Sequence, residues 1–198
     1  CVYGCLGIHP EEVLNYKRED ILFLEEHIKN NKILAIGEIG LDYHYSKENR
    51  EAQIELFESQ MQIAEKYHMP VVIHSREATL DTIEVLKKYP NVKGVIHSFS
   101  GSLETAQIYI KMGYKIGING VVTFKNSHLK EIIPEIYSSI ILETDSPYLT
   151  PHPYRGTQNS PKYVRNIADY LCEYLNISLE ELAKVTKENI QAIFDFSY

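Results

Sequence analysis

Six short apolar runs, rich in β-branched residues, punctuate the chain, and longer segments of helical period separate them. No other feature restricts the fold as strongly. The runs span 1–7, 33–38, 70–74, 94–97, 114–119 and 140–145. They are continuous rather than alternating, as expected of parallel strands covered on both faces. Between them the apolar positions recur every three or four residues. In 18–29 the stripe is Ile21, Leu24 and Ile28; in 46–67 it is Ile54, Phe57, Met61 and Ala64, with Ser46 as N-cap. Ile83 and Leu86 mark a helix over 79–88. Ser102 caps 103–112, and Gly113 stops it. Ser160-Pro161 opens a further helix, and Ser178 with Glu181 forms a capping box for the last one.

Strand and helix in alternation predict an α/β fold with right-handed crossovers. Neither a repeat nor a composition break divides the chain, so the reading is a single domain over 1–198. An open sheet and a barrel both fit six strands. A complete eightfold barrel takes about 250 residues, more than the 198 present.

Charge narrows the function. With 20 basic and 27 acidic residues the chain carries a net charge of −7, which excludes a protein that coats nucleic acid or membrane by its global field. Phosphate chemistry would need a few placed cations or a metal ion. Cys1, Cys5 and Cys172 make no disulfide framework and suit a reducing, cytoplasmic setting. No apolar run is long enough to span a membrane.

The polar residues that close the apolar runs carry the chemistry. Glu38, His74, His97 and Asp145 each end one run, and parallel α/β folds gather their functional groups at the carboxyl ends of the strands. Two imidazoles with two carboxylates suit a borderline divalent cation such as Zn or Mn, and Mg is tolerated in mixed shells. Glu38 could bridge two ions, and Asp145 could bind an ion, accept a proton from water, or do both. His9, after the first run, and Arg76, two residues past His74, could contact phosphate oxygens. Tyr43, Tyr148 and Tyr154 could stack on bases.

Read in order, Gly7-Ile8-His9-Pro10, Gly37-Glu38-Ile39-Gly40-Leu41-Asp42-Tyr43, Ile73-His74-Ser75-Arg76, Ile96-His97-Ser98-Phe99-Ser100-Gly101 and Glu143-Thr144-Asp145-Ser146-Pro147-Tyr148-Leu149 resemble the TatD family of metal-dependent deoxyribonucleases. The resemblance implies a (β/α)8 TIM-barrel type, with about six of the eight βα units in this chain. It also implies a two-metal site (Mg, Mn or Zn) and hydrolysis of DNA phosphodiesters, commonly as a 3′–5′ exonuclease. By motif match Glu38 is the bridging carboxylate and a catalytic group. His74 and His97 are ligands, Asp145 is ligand and base, and His9 and Arg76 touch substrate phosphates. Family members open with a His-x-His strand that this sequence does not show. The chain therefore reads as lacking the first two strands, with one metal ion held and activity impaired. Three other readings stand beside this one: a catalytically silent fragment, a metal-dependent hydrolase of another ester or amide, and an iron oxygenase using a two-His, one-carboxylate triad. The last is disfavoured because such triads sit on antiparallel barrels.

Overall fold

Every β-branched run forms a strand, and the segments of helical period form helices. The computed structural model describes residues 2–45 and 47–194. The chain divides into two compact units, Cys1–His97 with Ile193–Tyr198, and Ser98–Ala192.

In the first unit four strands, β1 (Gly4–Leu6), β2 (Ile33–Asp42), β3 (Val71–Arg76) and β4 (Gly94–Ile96), pair in parallel in sequence order. The helices α1 (Arg18–His27), α2 (Arg50–Tyr67) and α3 (Thr79–Lys87) connect them. The stripe read for α2 is buried at Phe57, Met61 and Ala64, against a sheet whose Ile36, Ile39, Leu41 and Ile73 are fully covered. Burying each such side chain contributes about 1.5–3 kcal/mol. Ser46, expected to cap α2, lies outside the described residues; Asn49 precedes the first helical residue.

Strand β2 runs on past the apolar run that announces it. The run ends at Glu38, but the strand continues to Asp42. Ile36 pairs with Val71 and Ile39 with Ile73, so three steps on β2 match two on β3. The extra residue is a bulge, and a bulge re-aims the side chains around it; Glu38 stands within it. Gly40 then pairs with His74 at φ +139°, where a Cβ would lie 2.0 Å from the His74 carbonyl oxygen. Only glycine fits that approach.

Two glutamines sit inside the apolar stripe of α2. Gln53 accepts the Asp42 N–H through Oε1 at 2.8 Å and donates Nε2 to the Asp42 carbonyl at 2.8 Å. Seven residues on, Gln60 accepts the Ile8 N–H at 2.7 Å and donates to the Ile8 carbonyl at 3.0 Å. Both are buried. Each side-chain amide supplies the donor and acceptor that the backbone needs once its neighbouring strand has ended.

In the second unit β5 (Lys115–Ile118) and β6 (Ile140–Leu142) pair in parallel. The helices are α4 (Leu103–Lys111), α5 (Leu129–Ile136), α6 (Val164–Leu175) and α7 (Leu179–Ile193). Ser102 caps α4 by accepting the Thr105 N–H at 3.3 Å, and Ser178 accepts the Glu181 N–H at 3.1 Å ahead of α7. Gly113, at φ +92°, closes α4 as expected. Pro161 opens a 3₁₀ turn that leads into α6. Helix α5 has no counterpart in the sequence reading: it contains Pro134, yet buries Leu129, Ile132, Ile133 and Ile136. Among the described residues no helix is long and apolar enough to cross a membrane.

The Gln60 clamp yields a stability prediction. Gln60→Leu strands the Ile8 N–H and carbonyl, and should cost about 2–4 kcal/mol in chemical denaturation. Glu55→Gln, at an exposed position of α2, should shift stability by less than about 0.5 kcal/mol.

Candidate metal centre

The site of the first unit is built on the ends of its strands. His74 stands on β3 with both ring nitrogens engaged by carboxylates. Nδ1 is 3.0 Å from Glu38 Oε1, and Nε2 is 2.8 Å from Asp42 Oδ2. His97, the residue after β4, lies with Nε2 3.7 Å from the same Glu38 oxygen. Its backbone N–H donates to the Ile73 carbonyl at 2.9 Å, which carries the ladder one residue past the strand. His9 packs edge-on against His74, with ring centroids 4.6 Å apart. Ligand atoms of His9, Glu38 and His74 all lie within 4.8 Å of one another.

This donor set fits a divalent cation. Imidazoles with a carboxylate, half-buried and converging on one point, are what a borderline ion takes. Glu38, His74 and His97 are thus brought together as the sequence implied, and His9 joins them.

Asp42 is the functional residue that the sequence reading did not single out. It is buried, and its two oxygens are used differently: Oδ2 meets His74, and Oδ1 accepts the His44 N–H at 2.9 Å. Gln53 fixes its peptide group. A carboxylate behind a ligating histidine orients the ring and selects the nitrogen that faces the metal. The available signal was the length of β2: the rule that a strand's last polar residue carries chemistry points at Asp42 once the strand is known to pass Glu38.

The neighbours set the charge of each group. Burial pulls the His74 imidazole down, but hydrogen bonds to Glu38 and Asp42 more than offset it, and its pKa rises above the ordinary value. Burial pushes Glu38 up, while the His74 hydrogen bond and the charges of His97, His74 and His9 hold it below the usual carboxylate range. His9 is pulled down, first by burial and then by the charge of His74. Between the two shifted values His74 is protonated while His9 is neutral. Its Nδ1 accepts the Glu11 N–H at 3.3 Å, which leaves the ring hydrogen on Nε2.

The other expected residues have separate places. Asp145 belongs to the second unit; β6 stops at Leu142, so Asp145 stands three residues beyond the strand, at φ +57°. The intervening Glu143 accepts the Ser98 N–H at 2.5 Å. Arg76 ends β3 and is exposed, its guanidinium 5.6 Å from the centroid of the Tyr45 ring. Tyr43 does not offer a face to a base. It is buried and donates its hydroxyl to Asp81 at 2.7 Å, while Arg50 grips the same carboxylate through two nitrogens. Tyr154 stacks on Tyr163 at 4.8 Å, and Tyr148 is exposed.

Comparison with known proteins places this geometry. The sequence profile of the TatD related DNase family matches residues 1–195. The uncharacterised metal-dependent hydrolase YabD of Bacillus subtilis strain 168 is 39% identical over 197 residues, which cover 98% of this chain and 77% of that one. The crystal structure of YjjV, a TatD homologue from Escherichia coli K12, superposes with a TM-score of 0.92 at 30% identity, over 98% of this chain and 77% of that one. A TatD-family hydrolase from Entamoeba histolytica shares the fold at a TM-score of 0.83 and 24% identity, over 97% and 74% of the two chains. The α/β fold of TIM-barrel type read from the sequence is the fold of these structures. The expectation that two strands have been lost draws no support from the matches.

Two measurements check the electrostatics and the metal affinity. In an NMR titration of the metal-free protein, His74 should titrate above the ordinary imidazole value and His9 below it. Because the folded His74 pKa is raised, its stabilisation is complete below the ordinary value and is lost as pH climbs through the raised one. Glu38→Gln should lower the His74 midpoint. Separately, Asp42→Asn should weaken divalent-ion binding about 10–100-fold in calorimetric titration, with the fold retained.

Proposed function

The chain belongs to the TatD family of metal-dependent hydrolases, and we propose from that membership that it cleaves the phosphodiester bonds of DNA as a 3′–5′ deoxyribonuclease. The observation that carries this reading is the meeting of His9, Glu38 and His74, whose ligand atoms lie within 4.8 Å of one another, with His97 Nε2 3.7 Å from Glu38. Glu38, His74 and His97 would hold one divalent ion, of the Mg, Mn or Zn class, and that ion would supply Lewis acidity toward the phosphodiester and the attacking water.

The chain's own residues do the rest. Asp42 holds His74 by Nε2 and so leaves Nδ1 facing Glu38. His9, neutral and carrying its hydrogen on Nε2, donates to a nonbridging phosphate oxygen. Arg76 offers a second, charged donor. Asp145 accepts the proton of the attacking water; that role rests on its place in the Glu143-Thr144-Asp145-Ser146-Pro147 motif. Two reduced cysteines, Cys5 and Cys172, among the described residues fit a cytoplasmic setting.

The test is cleavage of a 3′-labelled single-stranded oligonucleotide by the metal-loaded protein. Label should be released in a metal-dependent way, chelation should stop it, and Glu38→Gln should reduce the rate at least about 100-fold. Equal rates in Glu38→Gln and the parent would overturn the assignment.

A further inference from the structure

The second unit clamps a loop as the first does, and here a single residue makes the clamp. Beyond β6 the chain turns through 144–148. Asp145 stands in that turn at φ +57°, and Leu149 follows it at φ +55°. Residues other than glycine take such conformations at a cost, and keep them only where their surroundings hold them. Asn159 does the holding, and it is buried. Its Nδ2 donates to the Thr144 carbonyl at 2.6 Å and to the Tyr148 carbonyl, and its backbone N–H donates to the Pro147 carbonyl at 3.0 Å. The Tyr148 N–H closes the turn on itself by donating to the Asp145 carbonyl at 2.8 Å.

The amide of Asn159 has no second orientation. Oδ1 accepts the Ser160 N–H at 2.8 Å, so Nδ2 must turn both of its hydrogens to the loop. Ser160 leads through the 3₁₀ turn Pro161–Tyr163 into α6, whose Ile167, Ala168 and Leu171 are buried. The loop is therefore bolted to the start of a packed helix. Its far end is equally confined: a Cβ on Gly120 would stand 2.2 Å from the Leu149 carbonyl oxygen, so backbone lies directly on backbone there. Asn159 grips main chain on both sides of Asp145, the one acid in 144–148.

We infer that Asn159 is a positioning residue for Asp145, setting the place of its carboxylate through the carbonyls of Thr144, Pro147 and Tyr148. The inference rests on the nuclease reading, in which Asp145 accepts the proton of the attacking water. A base must meet that proton within hydrogen-bond reach, and a displacement on the order of 1 Å can cost about 100-fold in rate. Loops hold side chains less closely than strands or helices do. Three hydrogen bonds from one buried residue give this loop the fixity that the end of β6, three residues earlier, does not.

The experiment uses Asn159→Asp, which is nearly isosteric and keeps the acceptor for Ser160, but turns an oxygen toward the two carbonyls. In the metal-free protein, hydrogen exchange at the Tyr148 amide should quicken at least about tenfold, with the amides of α6 within about twofold of the parent. With metal and the labelled oligonucleotide, kcat should fall about 10–100-fold while KM stays within about threefold. In an Asp145→Asn background the same change should alter the remaining rate by less than about twofold, since a residue that acts through another then has nothing to act on. One reading needs no variant, and so stands even if Asn159→Asp does not fold. In the parent, the side-chain hydrogens of Asn159 should exchange at least about tenfold more slowly than those of an exposed asparagine. Unaltered Tyr148 exchange, a rise shared equally by α6, an undiminished kcat, full additivity with Asp145→Asn, or an unprotected Asn159 side chain each overturns the inference. If the exchange results hold and the metal-loaded parent cleaves nothing, the nuclease reading falls and the clamp on the Asp145 loop remains.

Discussion

His74 is suspended between two carboxylates, and the rest of the site follows from that. An imidazole with Glu38 on one nitrogen and Asp42 on the other has neither rotational freedom nor a free choice of tautomer. The pair of acids turns a flexible ligand into a fixed one and strengthens the ring's hold on its second proton. An incoming ion must displace that proton, so binding releases protons and strengthens with pH. Glu38 meanwhile stays ionised, because His74, His97 and His9 surround it. The cluster without metal is thus electrostatically satisfied, and it presents the cation with donors already in position.

The backbone supplies that arrangement by two departures from regularity. A bulge in β2 gives Glu38 its place and shifts the register, so that Gly40 lies beside His74 and Asp42 beside Arg76. Gly40 then lets the two strands run close, where any side chain would collide with a carbonyl. Regular pairing from Ile36 onward would have moved every later side chain of β2 by one position, and a one-residue shift in a strand turns each side chain to the opposite face.

Much of this was legible in the residues. β-branched runs announce strands because both faces are buried, and Ser102, Gly113 and Ser178 announce helix ends because their side chains or conformations serve orphan backbone groups. The convergence of Glu38, His74 and His97 followed from parallel topology alone. Other features were not legible, for separable reasons. Periodicity treats a polar residue as solvent-facing, so Gln53 and Gln60 were invisible as buried partners of main chain. The apolar run closes at the polar Glu38, so β2 looked four residues too short and Asp42 fell outside it. The sequence reading marks no helix over 129–136; a proline inside a helix costs a hydrogen bond, and α5 holds Pro134 beside four buried aliphatic side chains. The sequence points to Tyr43 as a stacking ring and passes over Tyr45; packing shows that the first is a strut for Asp81 and the second stands in solvent.

The paired glutamines of α2 carry a consequence for evolution and for engineering. They grip the peptide groups of Ile8 and Asp42, not the side chains. The grip is therefore blind to which amino acid occupies either position. New chemistry can be written onto those two segments without loosening their attachment. A slide of this one helix along its axis, by contrast, would carry both segments with it, so the loops that begin at His9 and at Tyr43 share a single mechanical anchor.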